Sequence, residues 1–190
     1  MNVGEAIDRL NKITSNSPER LTPFKTTEEL RRFFRNPRKQ GPGPPAELIG
    51  PIVEAFKTAK DAGRQRIVSK LSPHAQGAFL GYAADMAVLA VRRGSRELVV
   101  SGLTALAIEG GRFDIRDSIV ALAKLYHSAL KLGMDAAGAF RDVAALANPG
   151  QMRIEMGRFP ARPPGARDLE AFCLREVLTD DGFNYEQVIP

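Results

Sequence analysis

A chain of 190 residues with 44% hydrophobic and 26% charged side chains has the make-up of a globular protein, and its length suits one core better than two. Tryptophan is absent and aromatic residues reach only 7%, so the core has to be built from Leu, Val, Ile and Ala, while the lone Cys173 excludes an internal disulfide and fits a reducing compartment. The net charge of +5 is uneven: residues 1–75 hold 14 Lys/Arg against 8 Asp/Glu, residues 76–150 hold 8 against 7, and residues 151–190 hold 5 against 7. A moderate surplus of this kind serves solubility first and attraction of an anionic partner second.

The first predicted helix covers 3–13, with Ile7 and Leu10 on one stripe, and the SNSP run at 15–18 ends it. Its start has no basic stretch followed by an apolar run. Thr26 and Glu29 then stand at capping-box spacing ahead of ELRRFFRN, in which Leu30, Phe33 and Phe34 form the apolar face. Arg31, Arg32 and Arg35 fall on the other side. NPRKQGPGPP at 36–45 is a breaker-rich loop. Helical spacing resumes over 46–60, where Gly50-Pro51 implies either a helix start at Pro51 or a kink, and again over 64–71.

Stronger signals begin at Ser72-Pro73, an N-cap followed by proline in the first turn, which opens a helix reaching Arg93. This helix contains the longest low-polarity run, 78–91, which is too short to span a membrane and includes Asp85. Gly94 ends the helix. Ser95 caps the next, 96–109, which is apolar over most of its girth and expected to be buried; Gly110-Gly111 closes it. Asp114 caps a third, with Ile115, Ile119, Leu122, Tyr126 and Ala129 on one face, and Gly133 ends it ahead of a fourth over 135–147. Beyond Pro149 the GRFPARPPGAR run cannot be regular structure, and Asp181-Gly182 signals a tight turn, so the tail reads as extended or a short hairpin.

Two of these stretches resemble each other. Ala90, Val91 and Gly94 match Ala129, Leu130 and Gly133 at an offset of 39, and Val100, Leu103, Leu106, Ala107 and Gly110 match Phe140, Val143, Leu146, Ala147 and Gly150 at 40. A period near 40 holding two helices is the pattern of antiparallel helix-pair repeats. Residues 75–150 thus resemble HEAT-like or armadillo-like repeats. They are also similar to a group of uncharacterised bacterial proteins with a D-x-R-D-x-x-x-x-L-A-x-x-Y run and a following Leu-Gly pair, here Asp114, Arg116, Asp117, Leu122, Ala123, Tyr126 and Leu132-Gly133. The resemblance implies an interaction role and brings no catalytic residues.

Groups capable of chemistry are sparse. His74 and His127 stand alone, with no metal-ligand spacing around either. Cys173, between Phe172 and Leu174, reads as a small packed side chain. Glu109, Asp114 and Asp117 flank the Gly-Gly turn, but Asp114 and Asp117 fall where carboxylates cap a helix start, which is their expected role. Gly41-Pro42-Gly43 lacks the residues and N–H groups of a phosphate loop. Asp85, in an otherwise apolar helix, needs a partner; the expectation is a buried ion pair with Arg116, Arg92 and Arg93 being alternatives. Arg31, Arg32, Arg35, Arg38 and Lys39 are the candidate contacts to an anionic partner, though the interleaved Phe33 and Phe34 lie on another face and read as core anchors.

The expectation is therefore one all-α domain over 1–190: an N-terminal helical arm at 1–36, a helical-repeat core at 46–148, and an extended or hairpin segment at 149–190. The core reads as antiparallel helix pairs arranged as a short HEAT-like α-solenoid or an orthogonal bundle. The expected function is a non-catalytic, cytoplasmic protein–protein interaction module, with no cofactor or metal and no membrane contact. Nucleic-acid binding through the basic N-terminal half is the second reading, and an enzyme or small-ligand binder with a site near Asp85 the third.

Overall fold

The structure is a computed structural model that describes residues 1–16, 24, 27–35, 46–110 and 115–134. Those residues form helices, with no strand among them.

Helix α1 (Val3–Asn16) is opened by a reciprocal cap. The Glu5 amide donates to Asn2 Oδ1 at 2.9 Å, and the Asn2 amide donates to Glu5 Oε2 at 3.2 Å. Ala6, Ile7, Leu10 and Thr14 are buried along one stripe. From the same helix, Asn11 clasps a distant turn: its Nδ2 donates to Lys70 O at 2.8 Å and its Oδ1 accepts from the Ser72 amide at 2.9 Å. Helix α2 (Thr27–Arg35) buries Leu30, Phe33 and Phe34, as their i, i+3, i+4 spacing requires. The Phe33 ring sits 5.4 Å from Phe24 and 5.5 Å from Phe34, centroid to centroid.

Helix α3 (Ala46–Thr58) runs through Gly50-Pro51 instead of starting at Pro51. The residue before a proline resists helical geometry because its Cβ meets the pyrrolidine ring, and Gly50 has none. Helix α4 (Asp61–Lys70) begins three residues before the expected start and keeps no residue fully buried; Ile67 and Val68 rest against the core. Helix α5 (Pro73–Arg93) begins as expected, with Ser72 Oγ accepting from the Ala75 amide at 3.2 Å and proline in the first turn. Helix α6 (Arg96–Glu109) has its expected bounds, but Ser95 makes no side-chain cap bond. Helix α7 covers Ile115–Lys131. Gly94, Gly110 and Gly133 have φ of 62°, 62° and 66°, the left-handed conformation in which a side chain would be strained.

Helix α5 is the hub. It packs on α6, α7 and α1, while α6 also touches α7 and α3. The N-terminal helices belong to the same core: α1 lies on α3 and α5, and α2 on α7, so Leu10, Leu30, Phe56, Phe79, Leu106 and Leu125 share one apolar cluster. The α6–α7 approach is tight because Gly102 has no side chain; a Cβ there would come within 2.6 Å of Leu125 Cδ2 and 3.1 Å of Met86 Cβ. Thr26, the 36–45 loop, the fourth expected helix at 135–147 and the tail at 149–190 lie outside the described residues.

Candidate docking groove between α3, α4 and α6

Helix α6 is apolar nearly all round because three neighbours surround it. Val99, Gly102 and Leu106 are buried within the core, and Val100, Leu103, Thr104 and Ala107 form a second stripe at i, i+3, i+4 and i+7. That stripe is one wall of a groove whose other wall is Phe56 and Lys57 from the last turn of α3, with Arg64 of α4. Its cavity volume is about 100 Å³. Leu103 and Phe56 are almost fully buried at its floor, and Val100 stands 37% exposed at its edge. Thr104 Oγ1 donates back to Val100 O at 2.7 Å, so its hydroxyl is engaged within α6 and the floor is chiefly apolar.

Arg64 is held rigidly. Its Nε–H donates to Phe56 O at 3.2 Å, one of the carbonyls left over at the end of α3, and its guanidinium lies 5.2 Å from the Phe56 ring centroid. Lys57 pairs with Glu54 one turn back, Nζ to Oε1, at 2.9 Å. Lys60, between α3 and α4, is exposed. Glu54 acts on α5 as well: burial first, then the Glu54 charge, push the Tyr82 hydroxyl above its ordinary pKa.

The predicted site residues are scattered. Arg32 is exposed on α2; Arg31 and Arg35 belong to that helix, but their side chains, like Arg38 and Lys39, fall outside the described residues. Asp85 is half-buried and engaged in a polar or electrostatic contact, and the Arg116 side chain expected to face it falls outside the description. His74 is exposed at the start of α5. His127 is buried, and burial first, then Lys124 and Lys131, hold its pKa down to about 4. Cys173 and Asp114 lie outside the described residues.

Three features escaped the reading of the chain. One is the groove itself. Another is the setting of Glu109, which is 1% exposed and accepts the Ser118 hydroxyl at 2.6 Å. The bond joins α6 to α7. Gln76 Nε2 to Ile108 O at 3.1 Å and Ser128 Oγ to Ala87 O at 3.0 Å join helices in the same way. The third is a basic end at the α5–α6 turn. Arg92, Arg93 and Arg96 are exposed there with Lys131 of α7, and a Cβ on Gly133 would lie 3.9 Å from an Arg96 terminal nitrogen.

Among the described residues no group of three or more His, Cys, Asp or Glu is placed to hold a metal ion, and no helix is long and apolar enough to cross a membrane. No family model matches the chain, and neither does any curated protein or solved structure.

Proposed function

We propose that this protein is a non-catalytic docking module that binds another protein through the α3–α4–α6 groove, on a scaffold of HEAT-like antiparallel helix pairs. The observation that carries the reading is the open stripe on α6. A helix as apolar as α6 is beyond its first turn belongs inside a core, yet Val100 stands 37% exposed beside a cavity of about 100 Å³. Sites for cofactors and drug-sized ligands occupy roughly 300–1,000 Å³, so this one suits a single side chain of a larger partner. Three buried polar groups, Glu109, Gln76 and Ser128, each bond across a helix–helix interface.

Nucleic-acid binding is the second reading, and the basic end formed by Arg92, Arg93, Arg96 and Lys131 favours it over the N-terminal arm as the place of contact. Affinity capture from the native cell lysate separates the two. The docking reading expects protein partners that survive nuclease and are lost when Val100→Arg fills the groove mouth. Partners that vanish with nuclease, and persist with Val100→Arg, refute it.

A further inference from the structure

We infer that the groove takes an acidic peptide segment of its partner protein, seating one aliphatic side chain between Phe56 and Leu103 with carboxylates beside it; this rests on the docking reading above. The size of the socket selects the anchor. An engineered apolar cavity of about 150 Å³ admits benzene, and this one, at about 100 Å³, is smaller. An aliphatic side chain of the size of Val, Leu, Ile or Met fills such a space. Its lining is apolar apart from Thr104, Lys57 and Arg64, and the Thr104 hydroxyl is already donated within its own helix. A polar anchor would therefore exchange water for an unmatched wall.

The rim selects the flanks. Lys57 and Arg64 line the α3–α4 side, exposed Lys60 falls in the connection between those two helices, and Lys57 is paired with Glu54 at 2.9 Å, which leaves Arg64 as the charge that faces the groove. Arg64 uses its Nε–H on Phe56 O and leaves its terminal N–H groups for a carboxylate. Because that guanidinium is already fixed by the carbonyl and the Phe56 ring, it loses little freedom when a ligand arrives. A fixed planar fork of donors above an apolar socket is complementary to an Asp or Glu next to a Leu-like residue, and repels a basic segment.

The test is a random twelve-residue peptide display library panned on the wild-type protein and counter-selected on Val100→Arg. Enriched peptides are expected to share one aliphatic residue with Asp or Glu within one helical turn. Binding of a synthetic copy should weaken on the order of three- to fivefold with Lys60→Gln or Arg64→Gln, as for exposed ion pairs, and fall with added salt. Lys60 is exposed and outside the helix interiors, so its variant reads the charge even if Arg64→Gln loosens α3. Groove-dependent peptides with neutral or basic flanks overturn the acidic partner and leave the docking module standing. A library that yields nothing, or peptides held equally by Val100→Arg, overturns both.

Discussion

Gly102→Ala puts a methyl group where α6 has no room for one. The new Cβ would stand 2.6 Å from Leu125 Cδ2, 3.3 Å from Leu125 Cδ1 and 3.1 Å from Met86 Cβ, against an ordinary carbon–carbon contact of about 3.5–4.0 Å. Leu125 is fully buried and cannot swing aside freely, and Met86 Cβ is fixed to the α5 backbone. Two effects oppose each other. Alanine is favoured over glycine inside a helix by about 1 kcal/mol, and overpacking a close-packed core costs about 1–3 kcal/mol. The contact distance decides in favour of strain, so urea unfolding should show Gly102→Ala destabilised by about 1–2 kcal/mol. Leu125→Ala alone should cost about 2–5 kcal/mol through the space it leaves. Because the methyl introduced by Gly102→Ala would occupy part of that space, the double variant should be at least about 1 kcal/mol more stable than the two losses added together. A stabilised Gly102→Ala, or losses that add within about 0.5 kcal/mol, would refute the close α6–α7 crossing.

His127 makes stability depend on pH. Its folded-state pKa of about 4 lies below the unfolded value near 6.5, so the unfolded chain binds the proton first, and the contribution present above pH 6.5 is lost as pH falls towards 4. Between pH 7 and pH 5 the loss should be about 1–2 kcal/mol, flattened in His127→Gln; parallel pH profiles for the two proteins would contradict it. Ser72→Ala removes the α5 cap and should lower stability by about 1 kcal/mol in the same assay. The protein should bind duplex or single-stranded DNA and RNA only weakly at physiological salt. Serine in place of Arg31, Arg32, Arg35, Arg38 and Lys39 should change that little, and saturable sub-micromolar binding lost in this variant would count against the docking reading.

The bounds of α5 and α6 were legible because their signals are local: a Ser-Pro start, and glycines where the chain must turn left-handed at Gly94 and Gly110. Where propensity competed with context, the reading slipped. Ser95 occupies a cap position without making the cap bond, and of the two outcomes left open at Gly50-Pro51 the helix start is not met: Pro51 stays within α3, where Gly50, without a Cβ, lessens the clash before a proline. Periodicity names the buried face of α6 but not what covers each side of it. That the Val100–Ala107 stripe meets α3 and α4, and stays partly open, depends on packing between segments some 45 residues apart in sequence. Glu109 carried a fainter signal: it ends a largely apolar helix and is buried with it, and Ser118 on the next helix supplies a partner.

The most direct test places a photo-crosslinking amino acid at Val100 in the native cell, beside a control at Asp8, which is exposed on α1, a helix that does not line the groove. The docking account predicts discrete, nuclease-resistant protein adducts from position 100 and none of the same size from position 8. Identical adducts from both positions, nucleic-acid adducts, or none from position 100, would contradict it.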